Sequence, residues 1–215
     1  MKLSLVSLVI GALLAAPTWA DSNASNWTLR VGAANVSPND SSGAVLGNDG
    51  VAVDDAWGLG ISLDIPMNDR WSFEVLAATP FSHDITGTGA INGLAVGKVK
   101  HLPPTFSALY YLNAEKTWHL GFGINYTTFL EDDADDALVQ ALNVNSADLE
   151  LDDSFGYSLK VGFDIPMNES WSFNGNLYYM DIDTTADVYL DGAYATSVDV
   201  EIDPFVVMLG VSTQF

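Results

Sequence analysis

The chain has no cysteine, which excludes a disulfide framework, a thiolate nucleophile and any Cys-ligated zinc or iron–sulfur centre. Basic residues are almost as scarce: seven Lys and Arg stand against 28 Asp and Glu among 215 residues, for a formal charge of -21. Phosphate backbones are held by clustered Lys and Arg, and no such cluster exists here, so nucleic acid is excluded as a partner. His83, His101 and His119 are far apart and form no metal-spaced pair, although His83 and His101 could meet above a membrane. No phosphate-binding loop is present. No cofactor is implied. Charged residues make up 16% of the chain and hydrophobic ones 48%, too little charge to cover an ordinary soluble domain. After residue 20 no window reaches the roughly 18 consecutive apolar residues of a membrane helix. If the mature chain spans a membrane, it does so as strands.

The N-terminus reads as an export signal. Lys2 precedes an apolar run from Leu3 to Leu14, and Pro17-Thr18-Trp19-Ala20 ends in a small residue before the polar Asp21-Ser22-Asn23. This order predicts a secretory signal peptide over residues 1–20, cleaved after Ala20 to leave 21–215. The alternative, a retained anchor, is disfavoured by the shortness of the run.

The remainder alternates with period two, the mark of a strand with unlike faces. Phe205, Val207, Leu209, Val211, Thr213 and Phe215 lie on one face of the last segment, with Met208, Gly210, Ser212 and Gln214 between them. Similar runs begin at Trp27, Trp57, Trp71, Phe106, Trp118, Phe155 and Trp171. That makes eight strands. Short turns are expected at Pro66–Arg70, Asn113–Thr117 and Pro166–Ser170. Long Gly-, Asp- and Asn-rich loops are expected near 37–53, 84–97, 131–150 and 184–198. Long and short connections alternate, so they fall at opposite ends. Asp64-Ile-Pro-Met-Asn-Asp-Arg-Trp-Ser-Phe73 is echoed by Asp164-Ile-Pro-Met-Asn-Glu-Ser-Trp-Ser-Phe173 at a spacing of 100 residues, as a meander with repeated turns would require. The expected fold is all-β: an eight-stranded antiparallel transmembrane up-and-down β-barrel with four long extracellular loops and three short periplasmic turns.

The composition of the two faces orients it. Gly32, Gly58, Gly60, Gly121, Gly123, Gly156, Gly162 and Gly210 share the non-apolar face. An eight-stranded barrel has room inside only for side chains, so the small face points inward and the aromatics face lipid. A soluble lipocalin-like barrel would show the reverse. Trp27, Trp71, Trp118 and Trp171 beside the short-turn end suit an interfacial girdle.

Arg30, Glu74 and Lys160 share the inward parity and must pair or meet water; together with the inward Leu76, Leu109 and Met208 they are the candidate channel-lining residues. Pro80 lies 10 residues above Arg70 and Pro103 lies 10 above Asn113, while Pro38 and Pro204 match in the same way at the closing seam. Proline donates no ladder hydrogen bond. Pro80, Pro103 and Pro104 therefore mark either the upper end of the embedded sheet or a weak point for lateral exit into lipid. Phe215 ends an aromatic strand in the manner of a signal for barrel-assembly machinery. The run Glu131-Asp132-Asp133-Ala134-Asp135-Asp136 lacks the glycine and terminal glutamate of a calcium loop and reads as a solvated charge patch. No metal site is predicted.

The stretches Ala77-Ala-Thr-Pro-Phe-Ser-His83, Lys98-Val-Lys-His-Leu-Pro-Pro-Thr105, Gly121-Phe-Gly-Ile-Asn-Tyr-Thr-Thr-Phe129, Leu151-Asp-Asp-Ser-Phe-Gly156 and Ile202-Asp-Pro204, with the terminal Phe215, resemble the OmpW family of small outer-membrane barrels. That family includes the alkane-uptake protein AlkL. The resemblance implies a narrow apolar channel passing small hydrophobic molecules across the bacterial outer membrane, with lipid and lipopolysaccharide as surroundings. It also implies the alternative of a structural or surface-receptor barrel, an adhesin or a docking site for bacteriocin or phage, without transport. An enzyme is not expected, because Ser82, His83 and Asp84 are adjacent in sequence and adjacency supplies no catalytic geometry. No residue pattern specifies an oligomeric state.

Overall fold

The computed structural model of the chain describes residues 27–39, 41–42 and 50–215; the expected signal peptide, residues 1–20, lies outside the described residues. In chain order the strands are β1 (Thr28–Ser37), β2 (Ser41–Ser42), β3 (Val51–Val53), β4 (Ala56–Pro66), β5 (Trp71–Ala78), β6 (Phe81–Gly87), β7 (Ala95–Leu102), β8 (Thr105–Tyr111), β9 (Trp118–Ala134), β10 (Ala147–Leu151), β11 (Ser154–Pro166), β12 (Trp171–Met180), β13 (Asp183–Leu190), β14 (Ala193–Glu201) and β15 (Phe205–Gln214). Helix α1 (Asp136–Leu142) lies between β9 and β10.

Eight of these strands close a barrel in the antiparallel order β1-β4-β5-β8-β9-β11-β12-β15. The ring shuts where β15 pairs back onto β1, from Thr28 opposite Gln214 to Ser37 opposite Phe205. Trp27 and Phe215 extend that seam by exchanging both backbone hydrogen bonds at 3.1 Å. Closure leaves no free edge, so the backbone is satisfied even in hydrocarbon. The period-two pattern sorts the side chains as expected: Trp57, Phe122 and Phe155 are 72%, 63% and 70% exposed on the outer wall. Trp71, Trp118 and Trp171 are exposed beside the short turns.

The two copies of the repeated segment build the same turn. Asn68 Oδ1 accepts from the N–H groups of Arg70 and Trp71, each at 3.0 Å. Asn168 Oδ1 accepts from Ser170 and Trp171, each at 2.9 Å. An Asn side chain that mimics a backbone acceptor is what makes so short a reversal possible. Asn113 does the equivalent for Thr117 and Trp118 at the third turn.

All four segments expected as loops carry regular structure, 37–53 through β2 and β3. β6 and β7 form a hairpin across 84–97, β13 and β14 form one across 184–198, and the segment 131–150 contains the end of β9, α1 and most of β10. The second hairpin turns at Asp191-Gly192, both with positive φ, the dipeptide that suits a tight hairpin. Above the barrel the upper part of β9 continues into a sheet with β7, β6 and β3, while β10, β13, β14 and β2 form a second sheet. The acidic run is spent on this scaffold: Asp135 caps α1 by accepting from the Ala137 N–H at 2.8 Å, and Asp132 accepts from the Leu151 N–H at 2.9 Å.

Candidate functional site: a layered barrel interior

The interior changes character with height. At the short-turn end a polar cup of about 240 Å³ is lined by Thr28, Arg30, Tyr111, Asp164, Ser212 and their neighbours. Its roof is a buried ion network. Arg30, from β1, reaches Asp64 on β4 at 2.8 Å and Asp164 on β11 at 2.8 Å. Lys160, from β11, pairs with Glu74 on β5. The Tyr111 hydroxyl donates to Asp64 at 2.7 Å, and the Ser212 hydroxyl donates to Asp164 at 2.8 Å. Arg30 and Glu74 are fully buried, and ions so placed persist only when paired.

The glycines on the inner face make room for this filling instead of leaving an open bore. A Cβ on Gly121 would lie 2.8 Å from Leu109, and one on Gly60 would lie 2.8 Å from the Met208 sulfur. Large side chains from facing strands occupy the space that the glycines vacate.

Above the network the lining becomes apolar. A chamber of only about 20 Å³ is bounded by Ala34, Leu76, Phe81, Pro103, Met180 and Met208, among others. Higher still, the two sheets above the barrel enclose a cavity of about 80 Å³ lined by Val, Ile, Leu and Ala side chains together with His83 and His101.

The wall beside the chamber has a break in its ladder. β5 pairs with β8 up to Leu76 opposite Thr105, and β6 pairs with β7 from Phe81 opposite His101. Among the described residues no backbone hydrogen bond crosses between 77–80 and 102–104. Pro80 and Pro103 can donate none, and the Thr79 N–H turns away to Leu59 O at 2.8 Å. On the other flank the Tyr126 N–H donates to Pro104 O at 3.1 Å, so the β8–β9 side stays stitched. The seam marked by Pro38 and Pro204 differs: the Asn39 N–H donates to Ile202 O at 2.9 Å and carries the pairing across it.

His83 and His101 meet above this break. Their Nε2 atoms lie 2.9 Å apart and the rings stack at 5.0 Å between centroids. His83 Nδ1 lies 2.6 Å from Asp54 O. Burial pushes the His83 imidazole below its ordinary range, and burial with the neighbouring His83 pushes His101 down to about 3. Both rings are therefore neutral at pH 7. No group of three or more His, Cys, Asp or Glu that could hold a metal exists among the described residues. Ser82 and Asp84 are exposed on the face of β6 opposite the buried His83, so the three do not converge.

Each residue named from the sequence has a definite place. Arg30, Glu74 and Lys160 lie in the ion network. Leu76 and Met208 bound the chamber, whereas Leu109 sits against Gly121, outside the residues that line it. Pro103 is buried against the chamber, Pro104 is half-buried and Pro80 is exposed. Phe215 packs edge-on against Trp27 at 6.5 Å. Sequence reasoning missed Asp64 and Asp164 as partners of Arg30. The signal was available: both have inward parity, and both open the two copies of the repeat, which sets them at matching heights on β4 and β11. The cavity between the two upper sheets was missed because its walls were read as loops.

Comparison with known proteins agrees with this architecture. A model of the OmpW family matches residues 23–215. Outer membrane protein W of Vibrio cholerae is 43% identical, with all of both chains covered. The crystal structure of the outer membrane protein OprG from Pseudomonas aeruginosa superposes with a TM-score of 0.79 at 35% identity, covering 89% of this chain and 96% of that one. The structure of the outer membrane protein AlkL in lipid bilayers shares the fold, with a TM-score of 0.69 at 20% identity and coverage of 93% and 94%. Closed eight-stranded barrel, lipid-facing aromatics and a match across nearly the whole length converge: the chain belongs to the OmpW family and is an outer-membrane β-barrel.

Proposed function

We propose that the barrel takes up small hydrophobic molecules passively at its extracellular mouth and releases them sideways into the membrane. The observation that carries this reading is the order of the layers. An apolar molecule descending from the extracellular cavity meets apolar walls as far as Leu76 and Met208, and then a network of buried charges that offers it nothing. Passing the network would require breaking ion pairs that cost several kcal/mol each to disrupt, and release into water would forfeit about 25 cal/mol per Å² of apolar surface. On this reading the unstitched stretch of wall at Pro80, Pro103 and Pro104, with Pro103 bounding the same chamber, is the route toward lipid. Gradient-driven partition then suffices, with no enzymatic step. Family kinship with an alkane-uptake protein supports the same direction. Phe215 serves as the terminal residue read by barrel-assembly machinery, and lipopolysaccharide surrounds the mouth.

The test replaces Pro103 with Val and Pro104 with Thr, which restores a donor at each position. In folded protein, uptake of an apolar dye into vesicles with a lipopolysaccharide outer leaflet falls several-fold. Unchanged uptake overturns lateral exit. The scaffold or adhesin reading draws on the two extracellular sheets with their exposed acidic residues; it is favoured if neither apolar nor polar solutes cross.

A further inference from the structure

The histidine pair has an internal logic that nothing in the uptake reading uses. Asp54 O is an acceptor, so His83 Nδ1 carries the proton and donates to it at 2.6 Å. A neutral His83 then presents a bare Nε2. For the 2.9 Å contact to be a hydrogen bond, His101 Nε2 must carry the proton and donate. The remaining nitrogen, His101 Nδ1, is thereby left as a lone pair. It is buried and has no hydrogen-bond partner. A buried acceptor without a donor is unfavourable, and its ring belongs to the lining of the extracellular cavity. The other lining residues are aliphatic except His83, whose one proton is already given to Asp54 O, so no lining side chain offers a donor. His101 also packs against Phe81 at 5.9 Å and Phe129 at 6.0 Å, an aromatic setting that a flat ring could extend.

We propose that the extracellular cavity selects small aromatic molecules carrying a single hydrogen-bond donor, phenols in the first place, through His101 Nδ1. The Asp54–His83–His101 chain holds the ring in the accepting tautomer, so His83 is a positioning residue and His101 the contacting one. The inference rests on the uptake reading for why a solute reaches the cavity, and it adds the substrate class.

p-Cresol and p-xylene form a suitable pair, because they differ by a hydroxyl in place of a methyl. In lipid nanodiscs carrying the full mature barrel, p-cresol should bind about 2- to 12-fold more tightly after correction for partition into empty nanodiscs, the worth of one net hydrogen bond. In ¹⁵N NMR of the unaltered protein, p-cresol but not p-xylene should shift the His101 Nδ1 resonance. His101→Phe should abolish the preference while p-xylene still binds. Equal binding of the two, or a cresol preference that survives His101→Phe, overturns the proposal and leaves the uptake reading standing. Binding of neither overturns both.

Discussion

The lower part of the barrel and the canopy above it are built from the same kind of alternating strand, yet they enclose opposite interiors. Below, Arg30, Asp64, Glu74, Lys160 and Asp164 fill the lumen with paired charge. Above, the inward positions of β7, β13 and β14 are Val96, Val99, Val188 and Val198, and the space between the sheets stays partly empty. The difference teaches where each part gets its rigidity. The lower part is cross-braced through the lumen, from β1 to β11 and from β11 to β5, whereas the canopy is held by its ladders, by side-chain bonds such as that of Asp132 to the Leu151 N–H, and by the imidazole pair. Paired charge suits a lumen that resists water; on the uptake reading proposed above, the emptier canopy suits a mouth that admits an apolar solute.

The comparison is broken most severely by removing the brace. Arg30→Leu leaves Asp64 and Asp164 buried without their cation, and truncating one partner of such a pair costs about 3–5 kcal/mol. Urea unfolding in detergent should show that loss, together with raised leakage of small polar solutes into vesicles. Arg30→Leu with wild-type stability would mean that the network is not a brace.

A smaller effect separates the halves by pH. The folded-state values of His83 and His101 lie below the ordinary imidazole value of 6.5, so the opened canopy binds more protons than the closed one. Its stability is complete above pH 6.5 and falls as the pH drops toward about 3. For His101 the loss amounts to about 2 kcal/mol at pH 5, at 1.36 kcal/mol per unit. Amide exchange, corrected for its intrinsic pH dependence, should therefore rise in β6 and β7 on acidification while the β1–β15 ladder stays protected. Equal protection of both regions at pH 5 would contradict this account.

The smallest effect compares the two repeated turns. Asn68→Ala and Asn168→Ala each remove two side-chain hydrogen bonds at exposed sites and should each cost about 1 kcal/mol. Unequal costs measured by thermal unfolding would show that the repeat is not energetically equivalent.

Much of the barrel was legible because period two is unambiguous where one face meets lipid. Trp57, Phe122 and Phe155 lie outward and Arg30, Glu74 and Lys160 inward as parity requires. Pairing across the lumen was not legible, because parity says which way Asp164 points but not that it lies opposite Arg30; only closure of the ring decides that. The canopy was obscured for another reason. Gly, Asp and Asn in 84–97 and 184–198 read as loop composition, while the β-branched residues between them pair with strands distant in sequence, as β13 does with β10 and β14 with β2. Of the two proline-marked seams, the prolines alone could not show that Asn39 bridges one and that Thr79 turns away from the other.

The central claim, that an apolar solute leaves through the wall, is tested most directly by where it emerges. Vesicles with a lipopolysaccharide outer leaflet would carry the barrel and an apolar fluorophore would be added outside, with a quencher either confined to the bilayer core or trapped in the vesicle lumen. The account predicts that the barrel accelerates quenching in the bilayer, and that any lumenal quenching follows later at the rate of unaided escape from lipid. Barrel-dependent quenching that appears in the lumen first would contradict it.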